Sequence, residues 1–173
     1  CPSYMGIGAW YVNQIVPDAF ANYYWGEGGY AENKTKLDQL SLRLRTALST
    51  RNDKTAAVVA KEILIWGGGE RLIRGSLPWI TRNAVAGDLC KKIETGVALL
   101  KDDGASLLEF DGENLLMNSG MTKIMSLVDS VEQLIIYDGR VGAALGYFVL
   151  VFAHECESSM PLKELLFPWG GPG

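Results

Sequence analysis

The chain is expected to fold as a single all-α domain, and three observations carry that expectation. Leu37, Leu40, Leu44 and Leu48 recur at intervals of three and four, the period at which one face of a helix returns. No stretch alternates apolar and polar residues strongly enough to support a sheet, and no internal repeat is present. With 173 residues, 48% of them apolar and 21% charged, the chain can bury about 70% of its unfolded surface without a disulfide or metal staple.

Residues 1–33 are rich in glycine and aromatics, are interrupted by Pro17 and define no element. The leucine period sets an amphipathic helix over about 35–49 with its basic side outward. Residues 53–66 follow the same pattern through Val58, Val59, Ile63 and Trp66; Asp53 is placed to cap this helix and Gly67-Gly68-Gly69 to end it. The glycine run reads as a helix stop and not a phosphate loop, because no Gly-x-x-x-x-Gly-Lys-Ser/Thr pattern accompanies it and no strand precedes it. A third helix over 83–101 carries Val85, Leu89, Cys90, Ile93, Val97 and Leu100 and closes at Asp102-Asp103-Gly104. A short helix around 121–129 and a long one over about 139–155 complete the set.

Charge is spread unevenly. The net charge of −4, from 16 Lys+Arg against 20 Asp+Glu, argues against a general polyanion binder when taken whole. By segment, residues 34–92 hold twelve basic against five acidic side chains, a balance of +7, whereas residues 93–173 hold four against twelve, a balance of −8. The basic stretch reads equally as solvated helix faces or as a surface for nucleic acid. DNA stays compatible if the fold gathers those helices beside residues 117–123.

Cys1, Cys90 and Cys156 are odd in number, widely spaced and without a CxxC pair. That pattern excludes a disulfide framework and, with His154 the sole histidine, speaks against zinc; a reducing, cytoplasmic setting without metal or cofactor is expected. Adjacent His154, Glu155, Cys156 and Glu157 point in different directions on a helix, which suits a fraying polar end better than a metal site. The longest apolar stretch, residues 141–153, contains Gly142 and Gly146 and falls short of the about 20 residues a membrane span needs. No signal peptide is evident, and a chain running from Cys1 to Gly173 is expected to be a processed or trimmed piece.

Most of the chemical content lies in residues 115–150. Met117-Asn118-Ser119-Gly120-Met121-Thr122-Lys123 is a polar, glycine-containing break before a helix, a place where backbone N–H groups can face an anion such as a DNA phosphate. Asn118, Ser119, Gly120 and Thr122 are therefore candidate DNA contacts. Asp138 directly precedes the last helix and is placed to cap it, with Arg140 in the first turn. Arg140 suits a phosphate or a neighbouring carboxylate.

This arrangement resembles the helix-hairpin-helix DNA glycosylases, the superfamily of 8-oxoguanine DNA glycosylase and endonuclease III. Thr122-Lys123-Ile124 is similar to the element that ends the family's hairpin, and Ile136-Tyr137-Asp138-Gly139-Arg140-Val141 to the one that carries its Asp. The likeness is closer to bacterial proteins described by the 8-oxoguanine-glycosylase fold, through Ile65-Trp66-Gly67-Gly68 and Phe167-Pro168-Trp169-Gly170 as well. The four matches span about residues 63–170. Where the usual hairpin reads Leu-Pro-Gly-Val-Gly before its Lys, this chain reads Met117-Asn118-Ser119-Gly120-Met121, and its Lys-to-Asp interval is 15.

The resemblance implies a glycosylase-like helical domain that excises a modified base from DNA, with associated lyase activity, Lys123 as nucleophile and Asp138 as catalytic carboxylate. Such chemistry needs an amine that attacks the anomeric carbon and forms a Schiff base. An exposed lysine has a pKa of about 10.4; burial among Ile124, Leu127 and Ile136 would lower it, while an ionised Asp138 in contact would oppose that shift. Asp138 is suited to stabilise positive charge developing on the sugar and to orient or deprotonate the amine. The base must be flipped from the duplex, and Trp66, Tyr137 and Trp169 are candidate walls of its pocket. The alternative is a non-catalytic protein of the same fold that recognises nucleic acid or a nucleoside; similar proteins occur in bacterial antiviral systems, which implies an accessory role there. A third option is a module whose apolar faces dock a protein partner.

Overall fold

The leucine period is realised in the first helix. The computed structural model describes residues 24–26, 28–131 and 133–155, excluding the side chains of residue 140 and of residues 150–155. In it α1 spans Tyr30–Ser49 and buries Leu40, Leu44, Ala47 and Leu48. The helix ends where Arg51 adopts a φ of 53°, which lets the N–H of Asn52 reach the carbonyl of Ala47 at 2.9 Å. The side-chain oxygen of Asn52 then caps α2 (Asp53–Gly68) by accepting the N–H of Thr55 at 3.0 Å. Asp53 is therefore not the cap. Its carboxylate accepts the N–H of Cys90 at 2.8 Å and ties the start of α2 to a later helix.

Gly69, at a φ of 62°, breaks the chain between α2 and α3 (Glu70–Ala86). The pattern of apolar residues predicts no helix over most of this range, and the reason is its buried face. Ser76, Trp79, Ile80 and Asn83 occupy it, so polar residues stand at two of the four buried positions. Asn83 satisfies itself within the helix by donating to the carbonyl of Trp79 at 2.8 Å. Pro78 sits inside α3 and removes a donor, yet the helix continues through it because the surrounding face is packed.

The single helix expected over 83–101 is two. Gly87, left-handed at a φ of 79°, ends α3, and α4 runs over Leu89–Lys101. A loop with one 3-10 turn at Leu107–Glu109 leads to α5 (Ser119–Val128), and α6 follows over Gly139–Glu155. Among the described residues there is no strand, only an isolated bridge between Trp25 and Gly28. The class is all-α. No helix of the described residues is long and apolar enough to cross a membrane.

α5 is the centre of the packing and touches each of α1 to α4. Met121, Ile124 and Met125 are fully buried against Leu44, Ile63, Leu64 and Ile93. Each such side chain contributes about 1.5–3 kcal/mol on leaving water. Two glycines make this close fit possible. A Cβ on Gly120 would lie 2.7 Å from both Leu64 Cδ2 and Ser76 Oγ, and one on Gly96 would lie 2.5 Å from Met125 Cε. Gly120 is thus a helix-packing residue, with its face turned into the protein.

Candidate active site

The side chain of Asn118 caps α5, its Oδ1 accepting the N–H groups of Gly120 and Met121 at 2.9 and 3.0 Å. Oδ1 also accepts the hydroxyl of Ser76 at 3.1 Å, and Nδ2 donates to the carbonyl of Gly75 at 3.4 Å. The helix-start N–H groups expected to face a phosphate are therefore taken by the protein's own amide. What the cap does is fix α5 against α3, and with it the direction of Lys123 one turn later.

Lys123 is on the inner face of α5, and its side chain is 3% exposed. The carbon stem lies across α2 at Gly67, where an added Cβ would come 2.4 Å from Lys123 Cδ and 2.8 Å from Cε. A side chain there would have to displace the lysine stem. The ammonium donates to the carbonyl of Ser119 at 3.1 Å and faces Asp138 Oδ2 at 3.6 Å. Thr122 donates its hydroxyl to the carbonyl of Tyr137 at 2.8 Å, which pins the segment before α6 onto α5. Asp138 caps α6 as expected, Oδ1 accepting the N–H of Val141 at 3.3 Å, and its other oxygen is left towards the lysine.

The chain thus brings Lys123, Thr122, Tyr137 and Asp138 together, with Asn118 and Ser119 behind them. Trp66 precedes Gly67 on α2, and its indole N–H donates to Asn33 Oδ1 at 2.8 Å. The Arg140 side chain and Trp169 lie outside the described residues, as do Cys1, Cys156 and the His154 side chain.

Two residues essential to this geometry are not evident as such from the sequence. Gly67 reads there as part of a helix stop. Asp129 reads there as the last residue of the short helix around 121–129, and in the fold its side chain is 1% exposed and pairs with Lys101 at 2.9 Å. It also accepts the N–H groups of Val131, Gln133 and Leu134 at 3.3, 2.6 and 2.9 Å, fixing the turn that leads to Asp138. The Lys101 ammonium, opposed by burial and aided by those N–H groups, holds the Asp129 carboxyl down at about 2. A carboxylate just past a helix C-terminus opposes the macrodipole, so its retention in ionised form rests on these partners.

The cysteine among the described side chains, Cys90, is buried. Burial, then the neighbouring Asp53, push its thiol up to about 12, so it stays protonated at neutral pH. An amine held against a carboxylate at the junction of two helices can form a covalent imine or serve as a buried ion pair. Comparison of the chain with known protein families, with curated proteins and with solved structures finds no match.

Proposed function

We propose that this chain is a DNA glycosylase of the helix-hairpin-helix type, with associated lyase activity, that removes a modified base through Lys123 and Asp138. The observation that carries the reading is the pairing of a 3%-exposed lysine with a carboxylate 3.6 Å away, on two successive helices. In the reaction the Lys123 ammonium passes a proton through Asp138 to the departing base. The Nζ lone pair so freed attacks C1′ as the glycosidic C–N bond breaks, and the base leaves with that bond's electron pair and the proton. Asp138 stabilises the positive charge on the sugar as it develops. Loss of a proton from Nζ and opening of the sugar ring give a Schiff base, and proton abstraction at C2′ then permits strand cleavage.

Supporting this reading, Thr122 and the Asp138 cap fix both groups from the backbone, so their separation is preorganised. Incubation with duplexes carrying oxidised or alkylated bases in the presence of borohydride is expected to leave a covalent complex. Lys123→Gln should lower its yield at least a thousandfold, and equal trapping by that variant would remove Lys123 as nucleophile.

A second reading has its own observation. The ammonium is committed to the Ser119 carbonyl and shut from solvent, as a structural lysine would be. On that reading the fold binds nucleic acid or a nucleoside without cleavage, as an accessory component of an antiviral system. Undiminished DNA affinity with no trapping on any lesion selects it.

A further inference from the structure

A cleft of about 410 Å³ opens where the N-terminus of α1 meets the C-terminus of α2, lined by Trp25, Glu32, Asn33, Lys36, Ile65 and Trp66. Its walls are held rigidly. Asn33, 7% exposed, donates through Nδ2 to the carbonyls of Trp25, Gly28 and Gly29, each at 2.9 Å, and accepts from Trp66 Nε1. The indole N–H of Trp25 donates to the carbonyl of Trp66 at 2.8 Å, and the two rings sit 6.0 Å apart at 59°. One buried amide thus sets the loop and both indoles, and a preset site loses less order on binding.

Both indole N–H groups and the Asn33 amide are consumed by the protein itself. The cleft presents indole ring surface, the half-exposed Ile65 and the backbone of Gly26 and Gly28, and among its described residues charge comes from Glu32 and Lys36, one turn apart on the solvent side of α1. A planar ring that carries a phosphate matches this: the ring stacks on indole and the phosphate meets Lys36. Tyr24 and Tyr30, 68% and 47% exposed, place further ring surface on either side of Trp25 in the chain. Aromatic rings interleaved with cations are the usual platform for an unpaired strand.

We propose that the Trp25–Trp66 cleft is a stacking site for an unpaired nucleotide of a nucleic-acid strand. The inference rests on the nucleic-acid reading above and adds to it a strand-binding site whose Trp66 directly precedes Gly67, the residue under Lys123, on α2. Every base offers a ring face to indole and a phosphate to Lys36, so binding depends on ring and phosphate and little on base identity.

Tryptophan fluorescence of the full chain, titrated with short single-stranded oligonucleotides of each base, with the matching duplex and with 5′-mononucleotides, tests this. Single strands are expected to quench emission with affinities within about tenfold of one another, and more tightly than the duplex. Lys36→Glu, an exposed substitution that leaves the core intact, should weaken binding at least tenfold at low salt and lower the salt slope by about one. Trp25→Leu should remove most of the quenching. Absence of any quenching, or binding unchanged in both variants, overturns the proposal, and mononucleotides that bind as tightly as strands assign the cleft to a free nucleotide instead. Borohydride trapping separates this from the reaction: a chain that traps but shows no Lys36-dependent binding keeps the chemistry and loses the cleft. A chain that binds in this way but never traps does the reverse.

Discussion

Two Lys–Asp pairs flank α5, and they are sealed from opposite sides. In the Lys101–Asp129 pair the carboxylate is 1% exposed and the ammonium 28%, the contact is 2.9 Å, and three backbone N–H groups complete the acid's shell. In the Lys123–Asp138 pair the ammonium is 3% exposed and the carboxylate 22%, and the contact is 3.6 Å. The first has its acid enclosed and fully coordinated, which suits a clamp on a turn. The second is the longer contact, and its acid keeps part of its surface exposed. A buried acid that has no capacity left can only hold structure, whereas an open acid beside an enclosed amine can act on a ligand.

The largest expected effect separates the two pairs by function. Asp138→Asn keeps a side-chain oxygen able to cap α6, since Asn and Asp cap about equally well. It removes the charge opposite Lys123. The rate of borohydride trapping is expected to fall about 100- to 1000-fold, as for loss of one preorganised electrostatic group. Thermal denaturation of the same variant should show a smaller loss of Tm than the equivalent change at Asp129. A loss of stability at position 138 equal to that at 129, with trapping unchanged, would make both pairs structural.

Asp129→Asn is the reciprocal test and is expected to act on stability first. The amide cannot satisfy Lys101 as an anion and offers one acceptor oxygen in place of two. Amide exchange should accelerate at residues 131–134 before it does in α1 or α2. The pH dependence has a definite sign. The folded pKa, about 2, lies below the unfolded value of about 4, so the ionised acid stabilises fully above the unfolded value. The Tm difference between parent and variant should therefore be constant near neutrality, shrink as pH falls below about 4, and be lost as pH falls through about 2. A difference that persists below that range would mean the hydrogen-bond pattern, and not the charge, carries the effect.

The sequence discloses these two regions unequally. α1, α2, α5 and α6 are legible because their apolar residues repeat at helical intervals. Lys123 and Asp138 are instead singled out by the family resemblance of the segments that carry them, since a lysine after a glycine turn or an Asp at a helix start says little by itself. α3 is hidden because Ser76 and Asn83 sit on its buried face and Gly75 and Pro78 interrupt its propensity; tertiary packing decides it. Asp129 looks like an ordinary helix end until Lys101 is brought beside it from 28 residues away. Asn33 likewise gains its role only from Trp66, 33 residues further on. Each of these residues is polar, buried and satisfied over a long sequence separation, and periodicity carries no record of such partners. The basic stretch shows the same limit, since Arg43 and Arg51 are spent on Glu62 and Glu94 and leave less positive charge than the count implies.

The smallest effect bears on what holds the open pair in place. Asn118 was expected to touch phosphate, yet its Oδ1 is occupied by two helix N–H groups and the Ser76 hydroxyl. Asn118→Ala should cost about 1 kcal/mol of stability, within the 0.5–2 kcal/mol range of lost caps, and Asn118→Ser should restore most of it. Fraying of the first turn loosens the Ser119 carbonyl that receives the Lys123 ammonium, so trapping should fall only a few-fold. The salt dependence of DNA affinity distinguishes the two roles. A cap leaves the slope of log affinity against log salt unchanged, whereas loss of a phosphate contact flattens it by a fraction of one ion. A flattened slope with an unchanged Tm would return Asn118 to the DNA surface and leave α5 anchored by Ser76 and Gly120 alone.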